Sequence, residues 1–301
     1  MYDCIIIGAG TAGLTAAIYL RRASKKVLIL EAKSYGGQIT NTLTIENYPA
    51  EPHISGFDFA TKLYNQVKDL GAEIKFEKAI DIEINNSNKI VVTNNSKYEC
   101  KTIILATGSD NRKLGLENED ELIGKGVSYC ATCDGNFYKD KVVAVVGGGN
   151  AALQEALYLS DIASYVYLIH RRDEFRADKD TVNKFKEKNN TEIIYNSIIT
   201  KLLYDSKLNG IEIKNNDGNI SKLDIDGLFI AVGRIPENQN FAKLINLDSN
   251  GYVISSEDCN TNIPGIYTAG DNRTKTVRQL VTAASDGAIA ATEAIKYLNT
   301  K

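Results

Sequence analysis

The chain has 301 residues, 43% of them hydrophobic and 24% charged, which is enough material for two domains with cores of their own. A formal net charge of −3, with lysines interspersed among acids, excludes an extended nucleic-acid surface, which needs clustered positive charge. No apolar run approaches a membrane span, and five cysteines, three of them isolated at Cys4, Cys100 and Cys259, do not make a secreted disulfide framework. A reducing cytoplasm is expected, and MYDCIIIG begins an apolar strand with no basic or cleavable leader before it.

Residues 1–31 read as βαβ. In CIIIGAGTAGLTAAIYL an apolar run meets Gly8, Gly10 and Gly13 and then an alanine-rich amphipathic stretch, the order strand, tight turn, helix. Gly8 permits the turn, Gly10 leaves room for a pyrophosphate against backbone N–H groups, and Gly13 lets the helix pack closely on the sheet. KKVLILE supplies the next strand and ends it in Glu31, a carboxylate that can accept from ribose hydroxyls. Residues 74–99 alternate apolar and polar between asparagine-rich turns, as short strands do, and KTIILATGS returns to a buried strand.

Cys130-Ala131-Thr132-Cys133-Asp134 follows. Two intervening residues let both sulfurs meet in one turn and cycle between disulfide and dithiol. A structural zinc would need two further ligands, yet the other cysteines are scattered and the only histidines are His53 and His170, so no metal is expected. Asp134 can manage a proton during thiol exchange if burial raises its pKa, and it is equally placed to cap the turn before Gly135.

KVVAVVGGGNAALQEALYLSDIASYVYLIHRRDEFR repeats the nucleotide-binding pattern, with Gly147 and Gly149 in the first two glycine positions and Ala152 in the third. After the strand VYLIH no acid stands where Glu31 stood. Arg171, Arg172 and Arg176 stand there instead, and guanidinium forks match the oxygens of a phosphate monoester on the adenosine ribose, which favours NADPH over NADH. TEIIYNS, TKLLYDS, GIEIKN and DIDGLFIAVGRIP continue as strands. Past residue 240, IPGIYTAGD reads as a short buried strand ending at Gly270-Asp271, and VRQLVTAASDGAIAATEAIKYL as a long amphipathic helix whose alanines permit close packing. The similar strand ends at 106–108 and 269–271 place both in one discontinuous domain, with the middle of the chain inserted into it.

Across nearly its whole length, through GAGTAG, GGQI, ENYP, LATGS, CATCDG, GGGNAALQEALYL, HRRDEFRA, AVGRIP, PGIYTAGD and VRQL, the sequence resembles the low-molecular-weight, bacterial-type thioredoxin reductases of the two-dinucleotide-binding flavoprotein superfamily. CATCDG combined with HRRDEFRA is far more specific than either glycine pattern. The resemblance implies an α/β fold of two Rossmann-like, three-layer ββα/βα domains: an FAD-binding domain of residues 1–112 and 240–301, and an inserted NADPH-binding domain of residues 113–239 that carries the CxxC. It puts Gly8, Gly10, Gly13 and Glu31 on the adenosine side of FAD, Gln38 and Asn47 nearer the flavin, Asp271 at the ribityl or pyrophosphate region, and Arg278 and Gln279 near the isoalloxazine. It puts Gly147, Gly149, Asn150, Ala151, Arg171, Arg172 and Arg176 with NADPH. Cys133 becomes the flavin-facing sulfur and Cys130 the one that attacks the partner.

The resemblance further implies a cytoplasmic homodimer that serves a thioredoxin, with no nucleic-acid or membrane partner, and rotation about links near residues 112–115 and 237–242. Departures from the usual family pattern fall at Ala151, where a hydroxyl residue is common, at Gln154 in place of glutamate, and at Glu237-Asn238 after Pro236. Two other readings stand beside the NADPH-dependent reductase. One is a flavin disulfide reductase driven by ferredoxin or serving a peroxiredoxin system; the other is a flavin-bound redox sensor that binds a partner according to its CxxC state.

Overall fold

The structure is a computed structural model in which residues 1–85 and 88–300 are described; the asparagine-rich turn expected at Asn86-Ser87 lies outside them. The chain divides into two compact units, Met1–Asp110 with Ile235–Lys301, and Asn111–Arg234. These crossings precede the 112/113 and 239/240 boundaries expected from sequence. Residues just after the second crossing belong to the first unit because Glu237 N–H donates to Gly108 O at 3.4 Å and buried Asn238 donates to Gly251 O at 2.9 Å and Asn272 O at 2.8 Å.

In the first unit β1 (Tyr2–Ile7), α1 (Thr11–Arg22) and β2 (Val27–Leu30) form the βαβ start, followed by α2 (Gly56–Asp69), β3 (Glu73–Lys75), β4 (Ala79–Asn85), β5 (Asn88–Thr93) and β6 (Lys97–Leu105). Strand order is β3-β2-β1-β6-β5-β4. β6 changes partner along its length: Lys97–Cys100 pairs antiparallel with β5, whereas residues 100–105 run parallel to β1. Its burial follows, alternating in the first half and continuous in IIL. The chain leaves through β7 (Ser109–Asn111).

The second unit contains β8 (Val127–Ser128), the single turn α3 (Ala131–Asp134), β9 (Val142–Gly147), α4 (Asn150–Ser160), β10 (Tyr165–Ile169), α5 (Lys179–Lys186) and β11 (Thr191–Ile194). It continues with β12 (Ser197–Tyr204), β13 (Leu208–Asn215), β14 (Ile220–Asp224), β15 (Gly227–Ala231) and the returning β16 (Arg234–Pro236). A parallel sheet β11-β10-β9-β15-β8 is backed by the antiparallel meander β12-β13-β14. The first unit then closes with β17 (Ile266–Thr268), parallel to β6, and α6 (Leu280–Asn299). The helix starts three residues later than VRQL suggests, because the Gln279 side chain and Thr282 form a capping box that fixes its first turn.

Period-two alternation builds three layers in each unit. Cys4, Ile6, Ile29 and Ile104 face α1 and α6, while Ile5, Ile7, Leu28 and Leu105 face the hairpin residues Ile82 and Val91. In the second unit Val143, Val145 and Phe229 pack on α4 and Phe185, and Ala144, Val146 and Leu228 pack on Ile199, Ile211 and Ile213 of the meander. Each such buried aliphatic contributes about 1.5–3 kcal/mol relative to exposure. α6 meets α1 through small residues: a Cβ on Gly287 would lie 2.2 Å from Ala12 O, and Ala290, Ala291 and Ala294 are fully buried. The chain thus has the α/β architecture of two Rossmann-like units, the second inserted into the first.

Candidate active site

The first glycine loop is built by contacts that exclude side chains. Gly8 has φ +109°, and a Cβ on it would sit 2.2 Å from Ala106 O; one on Gly13 would sit 2.0 Å from Gly8 O. Gly10, by contrast, has only Gly36 O at 3.9 Å. It is the N-cap of α1 and supplies no capping side chain, so the first-turn N–H groups border an open space suited to a pyrophosphate. Glu31, at the end of β2, accepts from Ala9 N–H at 2.7 Å and Lys33 N–H at 2.8 Å, which fixes its carboxylate at the rim of that space.

Asp271 follows β17 at the same end of the sheet, and the adjoining Gly270 lies against Ala12 at the start of α1. A residue not singled out in the sequence holds this segment. Buried Asp286 on α6 accepts from Gly270 N–H at 2.9 Å, from Arg273 at 2.9 and 2.8 Å, and from Lys275 at 2.8 Å. Burial pushes its carboxyl up, but those donors outweigh it and hold it below the usual range.

Asn47 and Gln279 are brought together, Nδ2 to Oε1 at 3.2 Å. Arg278 lies before α6, its guanidinium 4.3 Å from the Tyr252 ring centroid, and its buried Nε has no hydrogen-bond partner. Gln38 stands apart from that pair and donates to Asp110 at 2.6 Å.

In the second unit Gly149 is the N-cap of α4, again without a capping side chain, and a Cβ there would meet nothing within 4 Å. Asn150 Oδ1 accepts from Asp178 N–H at 2.8 Å, which ties the glycine loop to the segment after β10. Ala151 is exposed on the first turn of α4, and Arg171, Arg172 and Arg176 are exposed on the 171–178 segment. That segment is therefore held close to the uncapped helix start.

Cys130 and Cys133 form a disulfide, with Cα atoms 5.3 Å apart, inside the range such bridges span. Cys133 and Asp134 N–H groups donate to Cys130 O at 3.2 and 3.1 Å, so α3 closes the two-residue spacing into one turn. Asp134 receives the Ser128 hydroxyl at 2.6 Å. Burial raises the Asp134 carboxyl above its usual value and the Ser128 bond partly opposes it.

Three groups behind the disulfide were not read from sequence. Ser128 at the end of β8 also accepts the Cys130 N–H at 3.1 Å. Glu155 on α4 has one carboxyl oxygen buried without a partner; burial pushes the group up to about 7, while Arg234 and the Ala131 N–H pull it down. Glu119 accepts from the Leu114, Gly115 and Leu116 N–H groups at 3.0, 2.8 and 3.1 Å and from the Tyr129 hydroxyl, and so anchors the approach to Cys130. A lone serine, one acid within a helix and one in a turn carry no pattern that distinguishes them in one sequence.

The remaining thiols are core residues. Cys4, Cys100 and Cys259 are fully buried, and burial pushes Cys4 and Cys259 up to about 12 and Cys100 higher still. Among the described residues no cluster of three His, Cys, Asp or Glu groups could hold a metal ion, and no helix is long and apolar enough to cross a membrane.

The sequence pattern of the family described as pyridine nucleotide-disulphide oxidoreductase matches residues 2–288. A thioredoxin reductase of Listeria monocytogenes is 41% identical over 300 residues, covering 99% of this chain and 94% of the relative. One of Mycoplasma genitalium is 42% identical over 293 residues, covering 96% and 93%. Among solved structures, a thioredoxin reductase from Streptococcus pyogenes superposes with a TM-score of 0.95 at 39% identity, covering 100% of this chain and 99% of the other.

Proposed function

Because the chain belongs to the thioredoxin reductases of the pyridine nucleotide-disulphide oxidoreductase family, we propose that it is an NADPH-dependent reductase of the thioredoxin disulfide, working through Cys130 and Cys133 with bound FAD. The observation that carries this reading is the disulfide on α3, in the same unit as an uncapped glycine-loop helix and its three arginines.

The first unit fits FAD. Gly10 and the α1 N-terminus leave room for its pyrophosphate, Glu31 is fixed where an adenosine ribose would lie, and Asp271 is held beside α1. Asn47, Arg278 and Gln279 are assigned to the flavin side with Gln38. Bound FAD supplies a two-electron centre between the hydride donor and the disulfide. In the second unit Gly147, Gly149, Asn150 and Ala151 would border the NADPH pyrophosphate, and Arg171, Arg172 and Arg176 would grip the 2′-phosphate.

Two electrons and two protons open the Cys130–Cys133 bond to a dithiol. The Cys130 thiolate then attacks one sulfur of the thioredoxin disulfide, forming a mixed disulfide and expelling a thiolate that takes up a proton. Cys133, as thiolate, attacks the Cys130 sulfur, which reforms the internal disulfide and releases the second thioredoxin thiol. Asp134, raised by burial and next to Cys133, holds the proton these exchanges need. The net change is NADPH, a proton and a disulfide to NADP⁺ and a dithiol.

Three buried, unpaired thiols suit a reducing cytoplasm, where we place the protein as a homodimer. Steady-state reduction of oxidised thioredoxin by NADPH tests the reading. Cys130→Ser should abolish sustained turnover, and unchanged turnover in that variant would overturn it.

A further inference from the structure

We propose that His170 and Phe175 are positioning residues that clamp the arginine-bearing segment onto the second glycine loop and so set the preference for a 2′-phosphorylated dinucleotide. The proposal rests on the NADPH reading above. Its starting point is a glycine outside the binding pattern. Gly148 is the middle glycine of three, yet a Cβ on it would sit 2.0 Å from the His170 ring, so the imidazole lies directly against the loop.

His170 immediately follows β10, the strand that precedes the arginines, and is 6% exposed. Its ring stacks on Phe175, with centroids 4.8 Å apart and planes 19° from parallel, and Phe175 in turn tilts onto Tyr195 at 5.3 Å. His170 Nε2 lies 3.0 Å from Glu174 O; a carbonyl only accepts, so this nitrogen carries the proton and donates. Backbone links complete the clamp: Arg176 N–H donates to Gly148 O at 2.9 Å, and Asn196 N–H donates to Arg172 O at 3.3 Å. The segment is thereby pinned at 172, 174, 176 and 178, the last through Asn150.

The three arginine side chains are exposed and rotamer-rich. A guanidinium fork binds bidentately at least cost when its backbone is already placed, since only the side chain's own rotamer freedom is then lost on binding. The pyrophosphate subsite at the α4 N-terminus and the 2′-phosphate subsite on the arginine segment must lie one adenosine apart. The His170–Phe175 stack is the side-chain spacer between the two segments, and neither ring needs to touch the ligand for it to work.

Calorimetric titration of the FAD-loaded protein with 2′,5′-ADP and with 5′-ADP reads the two subsites without turnover. The original protein should prefer 2′,5′-ADP, and Arg171→Ala/Arg172→Ala should erase that preference. Phe175→Ala should lower it by about tenfold or more while 5′-ADP affinity stays within about twofold, and Phe175→Tyr, which keeps the ring, should restore it. No preference in the original protein overturns the NADPH reading and this inference together. A preference that depends on the arginines but survives Phe175→Ala, or equal loss of both ligands in that variant, overturns the clamp alone.

Discussion

The Ser128 hydroxyl donates to Asp134 Oδ2 at 2.6 Å while accepting the Cys130 N–H at 3.1 Å, so one serine links the acid beside the second cysteine to the backbone of the first. Burial raises Asp134 and this bond moderates the rise. Acting as the proton holder, Asp134 works in its protonated form, and activity declines as pH rises through its folded pKa. Ser128→Ala removes the moderating bond, so the declining limb of kcat/KM for thioredoxin should move to higher pH. Asp134→Asn should abolish that limb and slow turnover by about a hundredfold. A pH profile unchanged in both variants would remove Asp134 from the mechanism.

Glu155 makes stability depend on pH. Its folded pKa, about 7, lies above the ordinary 4.5, so the folded state holds this proton more tightly than the unfolded chain. The associated stabilisation is fully present below the unfolded value and is lost as pH rises through about 7. Glu155→Gln cannot ionise. Unfolding free energies from denaturant titration should therefore coincide with those of the original protein at acid pH and exceed them at mildly alkaline pH, by up to about 3 kcal/mol. Parallel curves across the range would contradict this.

Asp286 compensates two buried cations at once, with Arg273 and Lys275 both within 2.8 Å of it. Removing one member of a buried ion cluster leaves the others uncompensated, at a cost of about 3–5 kcal/mol. Asp286→Asn should lower stability by that amount in chemical denaturation. It should also weaken FAD retention, measured by dialysis and absorbance, since Asp286 fixes Gly270 beside Asp271. Unchanged stability would show that the cluster is not a structural anchor.

Thiol labelling separates the two kinds of cysteine. Cys4, Cys100 and Cys259 are buried with raised thiols, and only Cys130 and Cys133 are partly accessible. Under native conditions a thiol-alkylating reagent should add no labels to the oxidised protein and two after reduction, both between residues 130 and 133. A label on any of the other three in the native state would contradict this.

The glycine loops and the dithiol were legible because each depends on local spacing. Gly8 is constrained by its own φ and Gly13 by a neighbour five residues back. The continuous apolar runs of β1, β2 and the end of β6 were likewise legible as buried strands, whereas which residue faces which layer came only from packing. What could not be read depends on tertiary approach. Gly148 matters through a ring 22 positions later. Ser128, Glu155 and Asp286 acquire their roles from burial and from partners that no periodicity reveals, and Asn238 lies in the first unit through bonds to residues 251 and 272. The start of α6 was misplaced because Gln279 caps the helix through its side chain, a residue type seldom found in that role.

In the proposed route electrons pass from NADPH through FAD to the disulfide and on to thioredoxin, and an anaerobic titration of the FAD-loaded protein with NADPH followed by oxidised thioredoxin follows them step by step. Flavin and disulfide each accept two electrons, so the flavin absorbance should bleach on NADPH and recover when thioredoxin drains the pair. A flavin spectrum unaltered by excess NADPH but bleached by reduced ferredoxin would contradict the account, as would a bleached flavin that no thioredoxin restores.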